Sequence, residues 1–308
     1  MTLQQLEYIV AVDNHRHFAR AADACGVTQS TLSSLIQKLE AELDVTVFDR
    51  KAHPVRPTAT GAEIIARARQ LLVNAAKLRE LVAARKGESV GDLSLGITST
   101  IAPYLIPGMF RYMTAAHPDI RMRVEEGRLP AIISQLERGE LDVAVTATPV
   151  GHKDLLEIPV YTEQLMAYVS PGEPMYTLPE LPTATLPVQS VWMLREGYCP
   201  GRGIFPFCEC RGDRRTVYEA GSVETLIRIV DENGGYAIIP ELQLPLLDDR
   251  QRKNVRRLYE PRPAREIALV VHRYFVRERL LNILADAIKA VIPDEMICDR
   301  LKKYPIVL

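Results

Sequence analysis

Residues 18–43 read FARAADACGVTQSTLSSLIQKLEAEL, and their spacing decides the N-terminal fold. Phe18, Ala21, Ala22 and Cys25 recur at helical intervals and share one face. Gly26-Val27-Thr28 then supplies a tight turn and an N-cap for a second helix. In that helix Leu32, Leu35, Ile36 and Leu39 form the apolar face, while Gln29, Ser30, Ser33, Ser34 and Gln37 lie together on the other, uncharged and polar. A tightly turned helix pair whose second member has a polar outer face suits a DNA major groove about 12 Å wide. Glutamine pairs donor and acceptor with adenine, and serine reads several base edges or holds phosphate. The same spacing also fits a small solvated helix pair, so it opens the DNA reading without closing it. Cys25, on the apolar face, reads as a small core residue.

Upstream, Thr2-Leu3-Gln4-Gln5 is a capping box that starts a helix over Leu3 to Asn14. Downstream, Val45 to Arg50 reads as a short strand, and Lys51 to Pro57 as a basic, proline-marked turn resembling a wing. Lys51 and Arg56 are placed to grip phosphate there, although loop cations are often merely solvated. From Thr60-Gly61 a long helix carries Ile64, Ala68, Leu71, Ala75, Leu78 and Val82 at alternating steps of four and three. That heptad seam buries itself against a partner helix, either a second copy of the chain or this chain's own body. Lys86-Gly87-Glu88-Ser89 ends it as a hinge.

Beyond the hinge, strands and helices alternate: strand 92–96, helix 105–116, strand 120–125, helix 129–138 and strand 143–147. Alternation of this kind implies an α/β domain with a largely parallel sheet. A second unit begins near Tyr161 and contains helix 223–233 and strand 236–239, and strand 267–271 with helix 278–291 returns to the first. The chain's 308 residues fit two compact domains at roughly 150 residues each. Apolar residues at 47% and charged residues at 25% exclude a disordered chain. With 38 Lys plus Arg against 39 Asp plus Glu, any nucleic-acid contact depends on local placement of cations. The N-terminus lacks a signal-peptide pattern, and no run reaches the roughly 18 apolar residues of a membrane span, so a cytoplasmic protein without membrane contact is expected.

Five cysteines, Cys25, Cys199, Cys208, Cys210 and Cys298, are an odd number, and three of them fall within 199–210. Such clustering in a reducing compartment points to redox or metal chemistry more than to structural bridges. Catalytic signatures are missing: no nucleophile elbow, phosphate loop or zinc-protease helix occurs, and His15, His17, His53, His117, His152 and His272 are scattered. A regulator is expected rather than an enzyme, and no cofactor is called for.

The motifs Phe18-Ala19-Arg20-Ala21-Ala22, Val27-Thr28-Gln29-Ser30-Thr31-Leu32-Ser33 and Ile36-Gln37-Lys38-Leu39-Glu40-Ala41-Glu42-Leu43 resemble the winged helix-turn-helix of LysR-type transcription regulators. Phe48-Asp49-Arg50 and Thr58-Ala59-Thr60-Gly61 match that family's next landmarks. The resemblance implies a DNA-binding head over 1–60, a dimerising linker helix over 61–88 and a Rossmann-like effector module over 89–308, similar to periplasmic binding proteins. Its two subdomains would be 89–161 with 266–308, and 162–265. The implied DNA contacts are Thr28, Gln29, Ser30, Thr31, Ser33, Ser34, Gln37, Arg50, Lys51 and Arg56. The implied partners are double-stranded operator DNA, further copies in a homodimer or homotetramer, and RNA polymerase.

The distal half is similar to the peroxide-sensing OxyR branch of that family. Cys199 and Cys208, nine residues apart, stand where that branch keeps its reactive pair. Gly96-Ile97-Thr98-Ser99-Thr100, Ala102-Pro103-Tyr104-Leu105-Ile106-Pro107, Leu136-Glu137-Arg138-Gly139-Glu140-Leu141-Asp142 and Ser222-Val223-Glu224-Thr225-Leu226 also look like it. By that resemblance Cys199 is oxidised to a sulfenic acid and captured by Cys208, Thr100 positions peroxide, and Arg265 helps stabilise the thiolate. The chain departs from the branch at Tyr198, where a histidine is usual, at Pro200-Gly201-Arg202-Gly203, and at Leu129, where a second threonine is usual. Those departures imply weaker thiolate stabilisation and peroxide binding. Cys210 adds a second resolving partner, and with Cys199 and Cys208 it could hold a soft metal ion, although a C-x-C pair alone is weak evidence. The alternative keeps the DNA head, leaves the cysteines without a sensing role and places a small organic or anionic effector between the subdomains, near Thr98, Ser99, Thr100, Tyr198 and Arg265.

Overall fold

In the computed structural model, which describes residues 1–86, 91–193, 222–275 and 277–308, the first helix starts from the capping box at Thr2. Thr2 Oγ1 accepts from Gln5 N at 3.2 Å, and Gln5 Oε1 accepts from Thr2 N at 2.8 Å. Helix α1 spans Leu3–His15. His17 Nδ1 caps α2 (Phe18–Ala24), and Thr28 caps α3 (Gln29–Leu43). Between α2 and α3 the chain turns at Gly26, whose φ of +66° is one that side-chain-bearing residues rarely adopt. Leu32, Ile36 and Leu39 pack with Ile9, Val12, Ala21, Ala22 and Phe48 into the core of the head.

The strand expected over Val45 to Arg50 is shorter. Strand β1 is Phe48–Asp49, paired antiparallel with β2 (Arg56–Pro57). The Val47 and Phe48 amides donate to Glu40 Oε1 at 2.7 and 3.3 Å, so a side chain takes donors that a longer ladder would use. Helix α4 runs from Ala59 to Lys86, about 42 Å at 1.5 Å per residue. Its first turn requires Gly61, where a Cβ would come within 2.0 Å of the Val47 carbonyl oxygen. Along its seam Ala68 is buried, whereas Leu71, Leu78 and Val82 are exposed.

The body is a mixed α/β structure in two lobes. In the first, β3 (Leu93–Thr98), α5 (Ala102–Ala116), β4 (Met122–Gly127), α6 (Leu129–Arg138) and β5 (Val143–Ala147) alternate as the spacing predicts. Their strands lie parallel in the order β4, β3, β5. Strand β6 (Leu155–Val169) was not legible in the sequence and is the structural pivot. Its first half pairs antiparallel with β11 (Ala264–His272), which also flanks β5. Its second half belongs to the other lobe, between β9 (Tyr236–Pro240) and β10 (Val255–Tyr259). The short strands β7 (Glu180–Pro182) and β8 (Val191–Trp192) complete that lobe's sheet beside β10 and β9 respectively.

Helix α7 (Val223–Asn233) buries Leu226, Ile227 and Val230 with Tyr168, Tyr236 and Ile238 in the second core. The short helix α8 (Asp249–Arg252) precedes β10. Helix α9 (Glu278–Lys289) returns to the first lobe and buries Leu281, Leu284 and Ile288 with Leu95, Val145 and Leu269; α10 (Asp299–Lys303) follows. Among the described residues no helix is long and apolar enough to cross a membrane.

Candidate functional site

The head presents its polar face as the sequence predicts. Gln29, Ser30, Thr31, Ser34 and Gln37 are exposed along α3. Thr28 faces the helix start, where its hydroxyl accepts from Thr31 N at 3.2 Å and contacts the Ser30 and Thr31 hydroxyls at 2.9 and 2.8 Å. Ser33 is different. It is half-buried and accepts from Arg50 Nη1 at 3.0 Å. Arg50 also pairs with Glu40 at 3.0 Å and lies over the Phe18 ring at 5.0 Å, so its charge is engaged within the protein. Glu40 therefore orients the wing through two backbone amides and one guanidinium. The sequence names Glu40 only as part of the family-like motif and gives it no role, because a glutamate on a helix carries no local sign of a partner ten residues on. Lys51 and Arg56 are exposed, as are Arg20 and Lys38, two further cations of this head.

A second constellation lies where β6 passes between the lobes. Arg265 and Glu163, on neighbouring strands, form an ion pair at 2.8 Å with side-chain exposures of 1% and 0%. Arg265 Nη1 donates to Thr100 Oγ1 at 2.9 Å, and Nη2 donates to the Thr100 carbonyl at 3.1 Å. The Tyr104 hydroxyl donates to Glu163 Oε1 at 2.7 Å and lies 2.9 Å from the Tyr161 hydroxyl, while Leu242 N donates to Glu163 Oε2 at 3.4 Å. Burial pushes both phenols well above the usual tyrosine range, and for Tyr104 the neighbouring Tyr161 and Glu163 add to the effect.

Of the residues expected around an effector, Thr100 and Arg265 are thus brought together. Thr98 and Ser99 are half-buried nearby in sequence, and α5 begins without a side-chain cap. An anion arriving here meets a guanidinium whose charge Glu163 already balances. Glu163 and Tyr161 were not expected here, and Tyr104 stood in the sequence only as part of a family-like motif without a role.

Tyr198, Cys199, Cys208 and Cys210 lie outside the described residues. Burial raises the two described thiols, with Glu7 adding to the effect at Cys25 and Glu266 at Cys298, so neither has thiolate character. Among the described residues no group of three or more His, Cys, Asp or Glu side chains is placed to hold a metal ion.

A winged helix-turn-helix, a long connecting helix and a two-lobed α/β body define a DNA-binding regulator with an effector module. Residues 3–62 match the bacterial regulatory helix-turn-helix protein of the lysR family, and residues 86–293 match the LysR substrate binding domain. The chain belongs to the LysR family. It is 33% identical over 302 residues to the hydrogen peroxide-inducible genes activator of Haemophilus influenzae, covering 95% of this chain and 99% of that protein. It is also 33% identical over 294 residues to the DNA-binding transcriptional dual regulator OxyR of Escherichia coli, covering 94% and 95% of the two chains. Among solved structures, a full-length OxyR variant from Pseudomonas aeruginosa superposes with a TM-score of 0.74 at 30% identity, covering 97% of this chain and 98% of that one.

Proposed function

We propose that this protein is a transcription regulator that reads operator DNA with α3 and its wing and responds to peroxide through Cys199. The observation that carries the DNA half is the capped α2–turn–α3 pair with Gln29, Ser30, Thr31, Ser34 and Gln37 exposed on one face. Thr28 and the start of α3 are suited to phosphate, the glutamines to base edges, and Lys51 and Arg56 to the flanking backbone. Ser33 and Arg50 act by setting the angle of the wing. The peroxide half is supported by relatives named as hydrogen peroxide-inducible activators along nearly the whole chain, together with the cysteines at 199 and 208.

In this reading Cys199 attacks peroxide as a thiolate. Its sulfur takes one oxygen to become a sulfenic acid and water leaves; Cys208 or Cys210 then displaces a second water to close a disulfide. Thr100 and Arg265 are the residues assigned to the peroxide and the thiolate. Tyr198 in place of histidine and Leu129 in place of threonine predict a slower sensor. The working division is a head over 1–60, a linker over 61–88 and an effector module over 89–308. The exposed Leu71, Leu78 and Val82 of α4 meet a second copy, and pairs of such dimers form a tetramer on DNA in the cytoplasm, where RNA polymerase is the further partner. The role is regulatory rather than catalytic.

The test is mass spectrometry of the purified chain titrated with hydrogen peroxide, after which remaining thiols are alkylated. A crosslink from Cys199 to Cys208 or Cys210 near one equivalent of peroxide supports the reading. Unmodified thiols under large excess overturn it.

A further inference from the structure

Two helix C-termini meet where the head touches the first lobe. A helix's last carbonyls have no amide partners within the helix and form its negative pole. In α6 the Gly139 N–H closes back onto the Gln135 and Leu136 carbonyls. The carbonyl of Arg138 instead accepts from Asn14 Nδ2 of α1 at 3.2 Å. The same Asn14 accepts from Arg69 of α4 through Oδ1, and Arg69 pairs with Asp13 at 3.0 Å. One amide is therefore held by the linker helix on one side and by the body on the other. Beside it Glu140 grips Arg138 through two hydrogen bonds of 2.7 and 2.9 Å, which hold the Glu140 carboxyl below its usual range.

Both ends of this contact lead somewhere. On the head side, the turn after Asn14 feeds the DNA-reading parts: Arg16 C=O accepts from Val55 N before β2 at 3.1 Å, and His17 Nδ1 accepts from Ala19 N at the start of α2 at 3.2 Å. On the body side, α6 begins at Leu129, directly after β4, at the carboxyl ends of the parallel strands where Thr98 also lies. Between its ends Ile132 and Leu136 pack against Leu141, Ala144, Leu155, Ala268 and Val270. The helix is thus a rod of about 15 Å fixed to the sheet.

We propose that the C-terminal end of α6 is a docking surface for the last turn of α1, and that through it a rearrangement of the first lobe reaches the DNA-reading head of the same chain. Only the second clause rests on the proposed function. A helix packed along one face moves as a body, so a shift at Leu129 arrives at Arg138 and displaces Asn14, and with it the wing and α2.

The test uses the full-length protein with Asn14→Asp, which keeps an oxygen for Arg69 but faces the Arg138 carbonyl with a carboxylate. Amide hydrogen exchange is expected to accelerate about fivefold, the equivalent of one hydrogen bond, in both residues 12–16 and 136–141, with α3 unchanged. Acceleration on the α1 side alone overturns the docking. Operator affinity of the reduced variant is expected within about twofold of the parent, while the difference between reduced and peroxide-treated protein shrinks by about fivefold. An unchanged redox difference overturns the transmission. A parent chain with no such difference would defeat the peroxide reading itself, and the exchange data would still decide the docking.

Discussion

At Arg265 and Glu163 two charges sit in the interior with almost no contact with water. Breaking such a pair from one side leaves the other charge buried alone, which costs about 3–5 kcal/mol, whereas replacing both by apolar side chains is often close to neutral. Glu163→Ala is therefore expected to lower the thermal midpoint sharply, and Glu163→Leu combined with Arg265→Met to restore most of it. A single substitution costing under about 1 kcal/mol would show that the pair contributes little. The phenols beside it set an alkaline limit. Tyr104 and Tyr161 stay protonated in the fold, while the same groups in the unfolded chain ionise near pH 10, so their contribution is complete below about pH 10 and declines above it. Tyr104→Phe should flatten that decline in urea titrations between about pH 9 and 11. Thr100 and Arg265 were singled out in the sequence through family resemblance and as donors suited to an anion, and neither reading foresaw that they would hydrogen-bond each other. Glu163 was not legible at all, because a lone glutamate in a strand does not announce a partner 102 residues away.

Among the elements, α4 carries its meaning on its surface. Leu71, Leu78 and Val82 are 45%, 66% and 44% exposed, an apolar row that an isolated helix would not keep in water. Leu78→Asp is expected to shift the sedimentation coefficient toward that of a single chain while leaving the helical circular-dichroism signal unchanged. Persistence of the larger species would assign the seam another role. The helices were readable because period and caps agree: the Thr2 box, Thr28 and Ser222 each accept from the backbone amide three residues on. Strand β6 was not, for a physical reason. Its burial alternates along Tyr161 to Leu165 but is continuous from there to Val169, because its ends serve two sheets with different covering. A strand shared in this way has no single period for a sequence to display. The wing was shorter than its apolar run because the Glu40 carboxylate, and not a neighbouring strand, takes the Val47 and Phe48 amides.

For the molecule as a whole, a net charge of -1 gives no hint of DNA, and the contact must come from a few cations of the head. Arg20, Lys38, Lys51 and Arg56 are exposed there and, among the described residues, outside any ion pair; Arg16 is tied to Asp13 and Arg50 to Glu40. On the proposed reading, with all four exposed cations of each of two heads set against phosphate, about eight phosphates are neutralised, which predicts a slope of log affinity against log salt near −7. Removing one exposed cation by Arg56→Ala takes it from both heads, so the slope should become shallower by about two. Arg50→Ala should behave differently. Its guanidinium holds Ser33, Glu40 and the Phe18 ring in place, so its loss weakens binding by misplacing the wing without changing the number of ions released. Operator titrations across a salt series separate the two cases: parallel lines for Arg50→Ala and converging lines for Arg56→Ala. A shallower slope for Arg50→Ala would mean that this arginine leaves Glu40 to meet a phosphate when DNA arrives.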